Sequence, residues 1–192
     1  MIVIPVSHPM SLLETKLRDA EGFAILIAAM SRQIAEGRSA GVPLRLVGIR
    51  TRGFPIAERL ARSLIPLMGV AIPVGAIDIT LYRDDLDKAQ RWPVLRGTEI
   101  PFDVDGAEIV LVDDVLFSGR TVRAALNVIC DLGRPARVRL ATLVDRGHRE
   151  FPIQPDVVGL TLQTDLSESV RVQMTPVDPV DEIIRISSRP KF

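Results

Sequence analysis

The stretch VDDVLFSGRT, residues 112–121, carries the clearest chemistry in this sequence. Asp113 and Asp114 stand side by side at the end of an apolar run, and Ser118, Gly119 and Thr121 follow in a small, hydroxyl-bearing turn. A turn between a strand and a helix offers backbone N–H groups with no intrahelical partner, and the helix dipole makes that end positive. A phosphate is the natural guest. Two carboxylates would repel it, yet they suit a neutral diol beside it, because a carboxylate accepts hydrogen bonds from hydroxyls. Phosphate and diol on one ligand describe a ribose 5-phosphate. Two other readings stay open at this point. A response-regulator receiver also has an acid pair at a strand end, though near its N-terminus and beside a third Asp that helps to hold Mg²⁺. Surface acids capping a helix would account for the pair but not for the turn.

These residues need elements to hold them. Apolar periodicity predicts a helix from Asp19 to about 37, with Asp19 as its cap, and another over 54–69. A third helix is expected over about 119–132, stopped by Gly133 and Pro135. Strands are predicted at 43–49, 71–82, 107–112 and 137–144, with shorter ones at 157–162, 168–174 and 182–187. Residues 1–18 read as a loose N-terminal extension, and 83–106 as a long polar connection of the kind that forms lids. Helices alternating with apolar strands imply an α/β fold: a mostly parallel twisted sheet with helices on both faces. Ligands of such sheets bind beyond the carboxyl ends of the strands, so the loops at 50–53, 83–100, 113–121 and 145–150 are the candidate site.

The chain has 192 residues, enough for one good core, and no apolar run reaches the roughly 20 residues of a membrane span. The first residues lack the basic segment and cleavage site of a signal peptide, and the single Cys130 excludes an internal disulfide. A cytoplasmic protein with no membrane partner is expected, with Cys130 as a small core residue. Net charge is zero and announces no nucleic-acid partner, but 21 of the 24 basic residues are Arg. Arg presents a planar fork suited to phosphates and carboxylates. Composition alone favours plainer causes, a GC-rich genome or surface ion pairs.

With VLVDDVLFSGRT, the blocks VGIRTRG (47–53), GAIDITLYRDDL (75–86), RGTEIPFDV (96–104) and LVDRGHREFPI (143–153) resemble, in order, the type I phosphoribosyltransferases. Within them they are most similar to the bacterial pyrimidine operon regulators that are also uracil phosphoribosyltransferases. The resemblance covers about residues 19–187 and implies one phosphoribosyltransferase domain over 19–192, with a flexible loop at about 75–100 and a hood at about 145–192. It implies transfer of ribose 5-phosphate from phosphoribosyl pyrophosphate (PRPP) to uracil, giving UMP and pyrophosphate. Asp113 and Asp114 would hold the ribose hydroxyls; Val115, Leu116, Phe117, Ser118, Gly119, Arg120 and Thr121 would cradle the 5-phosphate. Arg50, Thr51, Arg52 and Gly53 match the pyrophosphate loop, which in this superfamily often holds a non-proline cis peptide, and Arg83 in the lid would meet pyrophosphate. Mg²⁺ would be held mainly through PRPP and water, with no dedicated protein ligand.

Purine-specific relatives place an Asp three residues after the acid pair, where this chain has Phe117. A phenyl ring cannot transfer a proton; it either stacks on a pyrimidine or packs under the turn. Asp145 and Arg146 are the other base-binding candidates, and His148 is expected to face the surface or RNA. The resemblance also implies binding to the leader mRNA of a pyrimidine operon, with Arg32, Arg50, Arg146 and Arg149 as candidate contacts. There the pattern breaks: Ala28 and Ala29 replace a Thr-Arg pair of the family, and Arg32 replaces its His. The remaining alternatives are an RNA-binding attenuator with little enzymatic activity, or transfer to another base. The family associates as dimers and higher assemblies, so a homo-oligomer, dimer or tetramer, is implied.

Overall fold

A computed structural model describes residues 11–79 and 97–189. Its elements run β1 (Ser11–Arg18), α1 (Ala20–Glu36), β2 (Leu44–Ile49), α2 (Gly53–Met68), β3 (Val74–Ile77), β4 (Glu108–Leu116), α3 (Arg120–Leu132), β5 (Arg137–Asp145), β6 (Val157–Thr161), β7 (Ser169–Gln173) and β8 (Glu182–Arg189). Five strands form an all-parallel sheet in the order β3-β2-β4-β5-β6. The other three form an antiparallel sheet, β1-β8-β7.

The central strand β4 shows why the chain folds this way. Its apolar run is buried on both faces, as a parallel strand under two helix layers must be. Val110 and Val112 pack with Phe23, Met30 and Ile34 of α1 and Ile56, Leu60 and Leu64 of α2. Ile109 and Leu111 face the other way, onto Val122, Ala125, Val128 and Ile129 of α3. Strand alternation thus divides the core into two layers with β4 between them.

A buried ion pair ties α1 to the sheet. Arg139 on β5 donates to Glu108 on β4 at 3.3 Å and to the carbonyls of Ile34 and Gln33 at 3.2 and 3.3 Å. Those carbonyls lie in the last turn of α1, where a cation is favourable. The backbone N–H of Ser39 donates to the other Glu108 oxygen at 2.6 Å. Burial alone would push the Glu108 carboxyl upward, but these bonds outweigh it and hold the group below its ordinary range.

Three expectations need correction. Residues 11–18 are strand β1 rather than a loose extension: β8 satisfies their backbone, and Lys16–Glu182 and Arg171–Glu14 ion pairs at 2.7 and 3.2 Å brace the sheet. The strand expected over 71–82 is short, because β2 ends at Ile49 and pairs only as far as Ile77. Cys130 is exposed, on the outer face of α3. Residues 80–96, which hold Arg83 and most of the expected lid, lie outside the described residues.

Removing one partner of a buried pair leaves an uncompensated charge. Glu108→Ala should cost about 3–5 kcal/mol in urea unfolding, whereas the double variant Glu108→Leu/Arg139→Met should recover most of that loss. A single-variant cost below about 1 kcal/mol would show that α1 is held by its apolar face alone.

Candidate active site

The acid pair sits in the last four residues of β4, flanked by β2 and β5. Each carboxylate accepts the next backbone N–H: Asp113 from Asp114 at 3.0 Å, Asp114 from Val115 at 2.9 Å. Asp113 is 5% exposed. Burial, then the neighbouring Asp114 charge, pushes its carboxyl well above the usual range. Asp114 is also raised by burial, against the opposing pull of the Val115 N–H and the Arg52 guanidinium.

Two helix N-termini converge on this pair. α2 starts at Gly53, where a Cβ would collide with the Val112 carbonyl; glycine therefore lets the helix start press against β4 just before the acids. α3 is entered through Gly119 at φ 89°, a left-handed conformation that glycine adopts readily. Neither helix has a side-chain cap, which leaves N–H groups for a ligand. Ile49, Arg50, Thr51, Ile79, Asp113, Asp114, Val115 and Thr121 line one cavity of about 270 Å³. The Arg50–Thr51 peptide is cis.

A second cluster lies beside the turn. Arg146 is 7% exposed and its guanidinium sits 4.1 Å from the centre of the Phe117 ring, while His148 meets that ring edge-on at 5.8 Å. Arg146 donates to Thr164 Oγ1 at 3.2 Å, and His148 Nε2 lies 2.5 Å from the Thr164 carbonyl. Burial lowers the pKa of Arg146. The N–H groups of Glu150 and Phe151 donate to the Ser118 carbonyl at 3.0 and 3.1 Å, pinning this loop to the turn. Arg120 adds an ion pair to Glu150.

A phosphoribosyl transferase domain family matches residues 14–178. A Bifunctional protein PyrR of Chloroflexus aurantiacus is 49% identical over 171 residues, covering 89% of this chain and 94% of that one. Another, of Deinococcus deserti, is 52% identical over 154 residues, covering 80% and 84%. The chain belongs to the PyrR family of phosphoribosyltransferases. Among solved structures, a Trypanosoma cruzi hypoxanthine phosphoribosyltransferase in a ternary substrate complex aligns with a TM-score of 0.68, 20% identity, and coverage of 91% of this chain and 95% of that one. A Leishmania tarentolae HGPRT-ase in complex with GMP aligns at 0.64 and 19%, covering 88% and 94%. At that identity they show the shared fold.

The residues expected at a PyrR site lie in different surroundings. Asp113, Asp114, Val115, Thr121, Arg50 and Thr51 are brought together in the cavity. The Leu116 side chain is buried in the core, and its carbonyl accepts from Arg146 N–H at 3.1 Å. The Arg50 side chain is occupied by the Gly97 carbonyl at 2.8 Å and Glu99 at 3.3 Å. Of the candidate RNA contacts, Arg32 is exposed on α1, but Arg146 and Arg149 point inward. Arg149 spends its guanidinium on Asp145 at 2.6 Å and on the carbonyls of Phe117 and Ile153 at 3.0 and 2.9 Å. Asp145, a base-binding candidate, is thereby a partner of Arg149, and His148 is half-buried rather than facing outward. Sequence reasoning missed Asp178, which grips Arg52; the only signal was the acid spacing in PVDPVD, residues 176–181.

A carboxyl raised in the folded state binds more protons folded than unfolded, so it lowers stability as pH rises above its unfolded value of about 3.8. Asp113→Asn keeps the acceptor for Asp114 N–H but removes the charge. Its melting temperature at pH 7 should therefore exceed that of the parent, and its decline between pH 4 and pH 7 should be shallower. A lower melting temperature would mean that the carboxylate is stabilised by its surroundings.

Proposed function

We propose that this chain transfers the ribosyl phosphate of PRPP to N1 of uracil, releasing pyrophosphate and forming UMP. The supporting observation is that one cavity gathers the acid pair, Val115 and Thr121 of the following turn, and Arg50 and Thr51 of the loop after β2. In this reading Asp113 and Asp114 accept the ribose hydroxyls. The turn from Val115 to Thr121 receives the 5-phosphate at the uncapped end of α3. The Arg50–Gly53 loop, at the uncapped start of α2, receives the pyrophosphate. The bond from C1 of the ribose to the pyrophosphate oxygen breaks, and uracil N1 takes that carbon while its proton passes to water or to the departing pyrophosphate. The electron pair leaves with pyrophosphate, whose growing charge meets α2 and Arg52.

Mg²⁺ suits the donors present: hard carboxylate oxygens, with no cluster of three or more His, Cys, Asp or Glu among the described residues. Bound with PRPP, it would neutralise pyrophosphate charge, and Asp113 and Asp114 would orient its water. A cytoplasmic setting accords with this substrate; no helix of the described residues is long and apolar enough to cross a membrane.

Phe117 stands where purine relatives carry an Asp, and Arg146 covers one face of its ring. It walls the base site without offering a proton acceptor. With PRPP and Mg²⁺, uracil should turn over and hypoxanthine, guanine and orotate should not; faster use of hypoxanthine would defeat this substrate assignment. Asp114→Asn should lower activity about tenfold or more in a folded protein, since hydrogen bonds to a charged group contribute about 1.5–3 kcal/mol each.

The regulatory role of PyrR is proposed in weakened or redirected form. Ala28 and Ala29 offer no charge where the family has Thr and Arg, and Arg146 and Arg149 are committed inside the protein. Losing one bond to a charged group corresponds to roughly 10- to 150-fold in affinity. Filter binding of the operon's own leader RNA at fixed salt should show little preference over scrambled RNA, with or without UMP. Sequence-specific binding that tightens with UMP would restore the full regulator.

A further inference from the structure

Arg52 ends the cis loop and caps α2 through its backbone; its neighbour Thr51 lines the cavity. Its side chain does not hang free. Nε donates to Asp178 Oδ2 at 3.1 Å and Nη2 to Asp178 Oδ1 at 2.9 Å, a two-point grip on one edge of the guanidinium. Asp178 is itself fixed, because its Oδ2 accepts the Met174 N–H at 3.0 Å. The opposite edge, at Nη1, has no partner among the described residues, and the side chain is 33% exposed. The Arg52 charge reaches Asp114, which places the guanidinium in the electrostatic field of the site.

A second pair supplies a control built into the fold. Seven residues further along α2, Arg59 donates to Asp181 at 2.5 and 2.9 Å, and its Nη2 also donates to the Thr175 carbonyl and hydroxyl, each at 2.8 Å. Two helical turns separate the two arginines, so they share a face of α2. The β7–β8 loop is therefore clipped to the helix at two points. Arg59 is used up in holding that loop. Arg52 keeps an open edge and stands beside the cavity.

We infer that Asp178 is a positioning residue: it holds one edge of Arg52 so that the other is presented to the pyrophosphate of PRPP, making the β7–β8 loop part of the leaving-group site. This rests on the transferase reading above. A long Arg side chain at a half-exposed position samples many rotamers, and a two-point carboxylate grip leaves it one. No covalent step is added; Asp178 acts only through Arg52.

The test is steady-state kinetics with PRPP varied at saturating uracil, for the wild type, Asp178→Asn, Asp178→Glu and Asp181→Asn. Melting curves and calorimetric titration with PRPP and Mg²⁺ accompany it. Asn has one acceptor and cannot reproduce the two-point grip. Asp178→Asn should raise KM for PRPP about tenfold, the loss of one bond to a charged group, and lower kcat as Arg52 loses its aim at the leaving charge, with the KM for uracil changed less than about threefold. Asp181→Asn should lower the melting temperature and leave KM for PRPP within about twofold. If Asp178→Asn does not fold, Asp178→Glu, which keeps the charge with a shifted reach, should show the same selective rise in smaller measure. Equal rises in the Asp178 and Asp181 variants would reduce Asp178 to a structural clip. A lower KM would make it a competitor of pyrophosphate, and an unchanged KM would remove it from the site; each overturns the inference. If the wild type binds PRPP but transfers it to no base, the transferase reading fails and the calorimetric affinities still decide the role of Asp178. If the wild type binds no PRPP, both fail.

Discussion

Two carboxylates buried side by side at the end of a central strand repel each other, and the surrounding fold has to offset that repulsion. It does so with partial charges more than with whole ones. Backbone N–H groups of Asp114 and Val115 each serve one acid, and the positive ends of α2 and α3 border the same cavity. Among the described residues Arg52 is the cation whose field lowers Asp114, and Asp178 already holds one side of it. The pair therefore keeps an unmet demand for donors, which the hydroxyls of a sugar can meet. Placing the acids on β4, with neighbours on both sides, denies the backbone the freedom to relieve the strain by moving.

The same logic explains the arginines. Exposed ion pairs contribute about 0–1 kcal/mol, so 21 arginines scattered over a surface would do little for stability. Several are instead fasteners between segments distant in sequence. Arg139 joins α1 to β4 and β5, Arg59 joins α2 to the β7–β8 loop, and Arg149 closes the loop after β5. Arg59 also holds the Asp181 carboxyl down to about 2, so that clip persists through most of the acid range. Each guanidinium serves more than one acceptor at fixed angles, which a lysine ammonium does less well. The plain reading of the composition as surface pairing is therefore only partly right.

What could be read from the sequence was what is local in the sequence. The run from β4 through the Ser118–Gly119 turn into α3 is contiguous, and its strand pattern, glycine and hydroxyls lie within ten residues. The helices were legible from spacing to within a residue or two. β1 was not, because only Leu17 of this strand packs on the core; Leu12 and Leu13 are exposed, and the strand is held by its pairing with β8. Cys130 misled because a helical stripe predicts which residues are apolar, not how far the covering layer extends. Arg146 and Arg149 misled for a further reason: a charged residue is expected outside until its aromatic and carbonyl partners are known, and these come from residues 117, 153 and 164–165.

The division between legible and hidden residues follows the division of labour at the site. In the proposed reading, ribose and phosphate are held by one continuous segment, residues 113–121. The fold is shared with a hypoxanthine phosphoribosyltransferase at 20% identity. The base end is built differently. Phe117 belongs to the turn, but its ring is shaped by Arg146 and His148, and these in turn hang on Thr164 and Asp165. A substitution at 117 alone would leave Arg146 buried without its ring, a costly state for a desolvated cation. Changing residue 117 therefore calls for coordinated changes in three segments. That coupling ties residue 117 to the segments that carry Arg146, His148 and Thr164.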